Sequence, residues 1–340
     1  MHQFKIILLA LLLAPAFAIY SNSVFADHGA LGFGIGTASP IITQTGITLP
    51  AGMWAGGTIT QFTSFNNASD ATLLDLKNNA VDEAHGDVHT LKSFLQPSVF
   101  GAYGITDNWT VGIRLPYTQR FGVRSPNEDG DAVNRLGNPG GFGGVSLFSQ
   151  YRFFQTADNL NHLSFVVGLK TPSGATGVHT SQGEKFEAHS QPSGGSWNPS
   201  AGFSFTRAMG KVSFDSSILY TVTTRGTQRT DLGDTFDYNM ALSYAIVGTA
   251  RNNLFVDIND TPWTAVLELN GTWQDRQRTA GMAAEPNSGS NIVYISPGIR
   301  YSGGKNWNTA LSIGTPIVKD TNGYQTPPDY RVTYRLVFAY

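Results

Sequence analysis

Two short arrangements carry residue types suited to catalysis or metal binding. His162-Leu163-Ser164 sets an imidazole and a hydroxyl on one side of an extended segment, because alternate residues of a strand share a face. Such a pair could serve a lipid hydrolase, in which a base activates the Ser nucleophile. That enzyme would need both groups on an outer, lipid-facing surface near an external rim. The parity of the neighbouring residues puts them on the inner face instead, and the order of short and long connections described below puts them at the end with the short turns. The second arrangement is His85 and His89, with Glu83 and Asp87 beside them; His28, His179 and His189 are further imidazoles. Residues four apart face together on a helix, but this spacing straddles a loop and a strand, so a solvated loop is expected and no metal ligand is assigned. Gly137–Gly144 lacks the Lys and the following helix of a phosphate loop. The chain has no cysteine, which excludes disulfides and thiolate metal sites. Neither a catalytic residue nor a cofactor is expected.

A more extended set of charges recurs at one parity of successive period-two segments. Arg114, Arg152, Lys170, Arg331 and Arg335 share it with Asp215, Asp237 and Glu268. In a membrane barrel such positions line the lumen and tune selectivity. They can also fill a narrow interior by pairing with one another, as buried charges must. The presence of both signs favours pairing, while the arginines leave a weak anion preference open.

The elements that position these charges are strands. In Tyr330–Tyr340, Tyr330, Val332, Tyr334, Leu336, Phe338 and Tyr340 share one face, whereas Arg331, Thr333 and Arg335 share the other. Similar segments are expected near 52–65, 87–103, 108–121, 142–155, 162–172, 198–207, 211–224, 234–248, 262–275, 290–302, 306–318 and 329–340. Pro97, Pro116 and Pro297 should mark bulges or ladder breaks, because each lacks an N–H. Short connections such as Gly104–Asp107 and Ala208–Gly210 alternate with long ones such as Asn66–Gly86, Gly122–Gly141 and Pro172–Trp197. This predicts an all-β, transmembrane, antiparallel up-and-down barrel of about twelve strands, with short periplasmic turns and long external loops. The connection Thr249–Thr261 is too long for a simple inner turn. Trp263 and Trp273 share the apolar face ten residues apart, as do Tyr330 and Tyr340. At about 3.3 Å per residue and a tilt near 40°, that spacing covers roughly 25 Å of membrane normal. Trp109, Trp263, Trp273 and Tyr330 are therefore expected in aromatic girdles, and Phe338 and Tyr340 in a terminal assembly signal like that of Gram-negative outer-membrane barrels.

Lys5 and the apolar run Ile6–Ile19, followed by Val24-Phe25-Ala26, read as a secretory signal peptide over 1–26, with Ala16-Phe17-Ala18 as a second cut and an uncleaved anchor as the alternative. Residues 27–51 are expected to form a periplasmic segment and 52–340 the barrel. A net charge of −2 gives no basic footprint for nucleic acid. Only 14% of residues are charged, a low share that a lipid-facing surface would explain. Tyr103-Gly104-Ile105-Thr106-Asp107-Asn108-Trp109-Thr110-Val111-Gly112-Ile113-Arg114-Leu115-Pro116-Tyr117 resembles the signature hairpin of the outer-membrane proteins named for the meta-pathway of phenol degradation. Gly143–Phe153 and Gly168–Gly174 are similar to its next two strands, although Gly143-Gly144-Val145 departs from a Gly-x-Gly-Asp pattern. The resemblance implies a Gram-negative outer-membrane barrel that passes small, hydrophobic or aromatic molecules. A plugged structural or adhesion barrel and a surface receptor are the alternatives, with a lipid hydrolase behind them. Outer-membrane lipid, the barrel-assembly machinery and a small-molecule solute are the expected partners of a monomer.

Overall fold

The structure, a computed structural model, describes residues 40–246, 263–303 and 307–340. The expected signal peptide, His28 and the connection Thr249–Thr261 lie outside the described residues. Twelve long strands build one closed antiparallel sheet. They are β1 (Trp54–Phe65), β2 (Ser93–Thr106), β3 (Trp109–Phe121), β4 (Ser146–Gln155), β5 (Asn161–Lys170) and β6 (Asn198–Met209). The ring continues through β7 (Val212–Thr221), β8 (Thr235–Ala245), β9 (Trp263–Gln274), β10 (Ser290–Gly303), β11 (Trp307–Thr321) and β12 (Pro328–Ala339). Each strand pairs with its sequence neighbour, and β12 pairs with β1 from Ala55↔Ala339 to Phe65↔Pro328, which closes the barrel. No helix among the described residues is long and apolar enough to cross a membrane.

The sheet is inverted relative to a water-soluble barrel. Outward positions carry Ile113, Tyr151, Phe203, Met240, Leu267, Leu311 and Tyr334, all exposed. Inward positions carry buried Ser98, Thr110, Gln150, Ser204, Asp215, Glu268 and Thr333. Because strand residues alternate faces, a polar interior and an apolar exterior follow from one pattern. Aromatic rings gather at both ends of the outer face. At the end with short turns, the Trp54 ring lies tilted against Tyr103 at 4.5 Å, and Tyr301 lies 4.8 Å from Trp263 and 5.7 Å from Trp307. Trp109 belongs to this end, whereas Trp273 and Tyr330 are exposed at the other.

The three prolines sit where ladders break. Pairing of β2 with β3 skips from Leu95↔Gln119 to Ser98↔Pro116, across Pro97. Pairing of β10 with β11 skips from Ile295↔Thr315 to Gly298↔Ser312, across Pro297. Beyond Arg114↔Ser146, β3 meets only the short piece Gly140–Phe142, and Gly143-Gly144-Val145 leaves the sheet opposite Pro116. The strand expected from 87 starts at Ser93, because Thr90 just before it bridges to Arg124 in the next loop. The same loop holds two helices that strand periodicity does not reveal, α1 (Asp70–Asn78) and α2 (Glu83–Gly86). Ser69 caps α1 by accepting from the Thr72 N–H at 3.1 Å, with Asp70 in the first turn and Lys77 in the last.

Candidate functional site

The lumen is occupied by the chain itself. Residues 27–51 were expected in the periplasm; from Pro40 to Pro50 this segment instead runs inside the barrel, and almost all of it is buried. Apolar residues anchor both of its ends. Ile41 and Ile42 pack on Val266 and Ala310, and Leu49 packs with Ala102, Phe148 and Ala339. Between these anchors the contacts are polar. The Glu268 carboxylate accepts the Ile42 N–H at 3.0 Å and the Thr43 N–H at 2.8 Å. Arg335 donates to the Ile41 carbonyl at 3.2 Å. Gln150 accepts from the Gln44 side chain at 2.8 Å and donates to the Thr45 carbonyl at 2.9 Å. Thr206 accepts the Gly46 N–H at 2.8 Å and donates to Asp215. The segment has no regular structure of its own, so its backbone groups need partners from the wall.

The lumen charges predicted from sequence thus divide into distinct groups. Glu268, Arg335 and Asp215 support the internal segment directly or through Thr206. Arg114, Lys170 and Asp237 line a cavity of about 70 Å³ on its far side, together with Leu169, Leu219 and Pro192. Arg114 also donates to Ser98 at 2.9 Å, and Asp237 accepts from Thr272 at 2.6 Å. Arg331 lies over the Tyr294 ring at 4.1 Å and donates to Asn270 at 3.0 Å. Arg152 folds over the β2–β3 turn, donating to Asn108 at 2.7 Å and to the Asp107 carbonyl at 3.0 Å. Fully buried Arg300 interacts electrostatically with Asp215, as Arg335 does with Glu268 and Arg331 with Asp237. Sequence reading did not single out Arg300, although its inward parity on β10 was available.

His162 and Ser164 face the lumen, both buried. Ser164 donates to the Gly46 carbonyl at 2.6 Å, and the His162 ring contacts the Asn159 carbonyl at 3.0 Å. A Cβ on Gly46 would come within 2.6 Å of the His162 carbonyl oxygen, so the internal segment lies directly against this pair. Replacing Gly46 with Val should therefore displace the segment, and a cysteine introduced at Thr45 should then react faster with a small thiol reagent. An unchanged labelling rate would contradict this packing.

The opposite end of the lumen is closed by the loop between β5 and β6. Its Phe186 packs with Phe65, Leu91 and Val123. Arg120, buried on the inner face of β3, donates to the carbonyls of His189 (2.9 Å), Ser190 (3.3 Å) and Gln191 (3.1 Å). Gln191 in turn donates to the carbonyls of Phe186 at 2.7 Å and Val178 at 3.0 Å. His89 and His189, a hundred residues apart in sequence, stack with ring centroids 4.5 Å apart. Glu187 approaches His189 Nδ1 at 3.4 Å. Of the other imidazoles, His85 bonds to Asp82 at 2.7 Å and His179 lies in a bridge to Lys185, both apart from this pair. Nothing is described of the Glu83 side chain.

Burial holds the His189 imidazole well below its ordinary range, and the positive fields of His89 and Arg120 add to the effect. Between that lowered value and about 6.5, the unfolded chain binds a proton that the folded loop refuses. This contribution to stability is complete above about pH 6.5 and is lost as pH falls below it. Cleavage of the 171–197 loop by added protease should accordingly be faster at pH 5 than at pH 7.5; equal rates, with a protease active at both, would refute the assignment.

Solved structures share this architecture. The chain is similar to an outer-membrane channel from Pseudomonas putida F1, with 14% identity, a TM-score of 0.56, and coverage of 86% of this chain and 97% of that one. Weaker similarities reach a FadL homologue from Pseudomonas aeruginosa (11% identity, 94% and 98% coverage, TM-score 0.41) and the CymD monoaromatic hydrocarbon channel (10%, 86% and 88%, TM-score 0.38). No curated protein matches the chain. The model of one protein family, described as "Putative MetA-pathway of phenol degradation", matches residues 62–336, and the chain belongs to that family.

Proposed function

We propose that the protein is an outer-membrane channel for small, hydrophobic or aromatic molecules, closed in the state described. The observation that carries this reading is the nature of the closure. A permanent filler would be packed like a core, whereas residues 43–48 meet the wall mainly through hydrogen bonds and bury few large apolar side chains. The neutral bonds among them are worth about 0.5–1.5 kcal/mol net and the one to the Glu268 carboxylate about 1.5–3, because water can replace them as the segment leaves. The solved channel from Pseudomonas putida F1 supports the fold, and family membership supports the class of solute. A structural barrel or a receptor acting through its loops has less use for a lumen segment held by polar contacts between two small apolar anchors. The hydrolase reading is less supported, since His162 and Ser164 lie beneath the internal segment and away from the lipid face.

The same reading places the long loops outside the cell and the short turns in the periplasm. Cysteines introduced singly at Ser125, Ser181, Ser288 or Asn322 should react with a membrane-impermeant thiol reagent on intact cells. Those at Asn108 and Gly303 should react only after the outer membrane is opened. Labelling of Gly303 from outside would invert the orientation. The absence of native cysteine removes background.

A further inference from the structure

The loop end of the barrel brings together His89, Glu187 and His189, each offering one ligand atom, all within 4.8 Å of one another. Both histidines are partly buried, and Glu187 is exposed. The His189 Nε2 atom is buried without a hydrogen-bond partner among the described residues. A buried imidazole nitrogen with no partner is uncommon and calls for an explanation. The two sides of the cluster are also held in place from outside it. On the first loop, Thr326 donates to the His89 carbonyl at 3.4 Å, and Asn287 donates to the carbonyls of Ala84, His85 and Asp87 at 3.2, 3.2 and 3.0 Å. On the loop between β5 and β6, Arg120 and Gln191 fix the carbonyls on either side of the imidazole, as described above. Asp87 and Glu285 line the same cavity, and their charges repel that of Glu187. The cluster therefore has two imidazoles, an excess of carboxylates and a rigid frame. These are the requirements of a cation that neutral imidazole and carboxylate bind together.

We propose that His89, His189 and Glu187 form a site for a divalent metal of the zinc type, which staples the loop between β1 and β2 to the loop between β5 and β6. Tetrahedral coordination with bonds of about 2.0–2.1 Å places ligand atoms roughly 3.4 Å apart, so small rotamer changes would complete the set. Asp87 or Glu285 supplies the fourth position, or water does. Two imidazoles select zinc over calcium and magnesium, which prefer oxygen ligands. The ion would fix the segment carrying Phe186 over the lumen, an effect separate from the solute specificity of the channel.

The full chain, folded in detergent, should bind one equivalent of Zn²⁺ in competition with a chromogenic chelator. His89→Ala and His189→Ala should each weaken binding at least roughly a hundredfold, since even outer-shell losses commonly cost 10–100-fold. Glu187→Gln should weaken it less, and His85→Ala and His179→Ala should leave it unchanged. Millimolar Ca²⁺ or Mg²⁺ should not displace the ion. Zn²⁺ should also slow proteolysis of the 171–197 loop in the wild type but not in His189→Ala. Folding of each variant is checked by heat-modifiable gel migration. If a variant fails to fold, Co²⁺ added to the wild type decides the matter: tetrahedral visible absorption supports the site, and its absence overturns it. Zinc affinity that survives in the folded His89→Ala/His189→Ala double variant, or that falls equally in His85→Ala, would also overturn it.

Discussion

Removing the Glu268 carboxylate should release the segment that fills the lumen. In Glu268→Ala the Ile42 and Thr43 N–H groups lose their acceptor in a region with no exposed surface, as Glu268 itself is 0% exposed. An orphaned buried donor costs about 1–3 kcal/mol, and two are created. Arg335 simultaneously loses the opposite charge that acts on it, so the fully inward state is further penalised. The strands themselves keep their ladders, because Glu268 takes part in the β8–β9 and β9–β10 pairings through its backbone alone. We therefore expect a folded barrel with a mobile internal segment. Combined with replacement of the 171–197 loop, which closes the other end of the lumen, by a short turn, it should conduct in planar bilayers far more than the loop-shortened protein alone, and cells carrying both changes should become sensitive to bulky hydrophilic antibiotics. Deletion of residues 40–50 should give the same result more strongly. Arg331→Glu with Arg335→Glu is expected to act differently, since the new carboxylate at position 335 would face Glu268 and damage folding rather than merely shift ion preference. If Glu268→Ala and the deletion, each made in the loop-shortened protein, yield folded barrels no more conductive than that protein alone, the internal segment is not a closure.

The second large effect is expected at the last strand. β12 is bonded on both sides, to β11 from Trp307↔Phe338 and to β1 from Ala55↔Ala339. Trp54 and Tyr340 exchange both backbone bonds at 2.8 Å. Phe338 and Tyr340 project from the outer face at this end, beside Trp54 and Trp307. Replacing both with Ser removes two aromatic rings from a surface that would meet lipid and adds polar groups there. Export should continue, while the amount of heat-modifiable protein in the outer membrane should fall at least severalfold. Thr333→Ser on the inner face of the same strand should leave assembly near normal. A double variant that assembles at normal yield would show that these rings are not an assembly signal.

The sequence disclosed the wall of the barrel more fully than its contents. Alternation in Trp263–Gln274 identifies both faces of β9 without any partner, because period two is a local property. It marks Glu268 as inward, yet it cannot say what the carboxylate holds. That partner is Ile42, 226 positions away and in a segment without periodicity. The same limit applies to His89 and His189. Each lies in a connection whose path is set by side chains such as Arg120 and Asn287, so their meeting leaves no spacing signal. The helix Asp70–Asn78 does carry one, Ser69 followed by an acidic residue, but it sits within a stretch whose length alone reads as an external loop. Arg300 was legible too, since the rule that places Arg335 inward applies to it equally.

The pairing of Ala55 with Ala339 joins positions 284 apart, nearly the whole span of the sheet. The entropy of closing so large a loop is modest, because each doubling of length adds only about 0.6 kcal/mol. The greater burden is topological. Until that final seam forms, any partial sheet has two open edges, each presenting free N–H and C=O groups that can recruit another chain. A soluble sheet can protect its rims permanently with charge or a bulge. This one cannot, because the rims must later recognise each other along their full length. Its resistance to aggregation is therefore a property of the finished ring and of no intermediate before it.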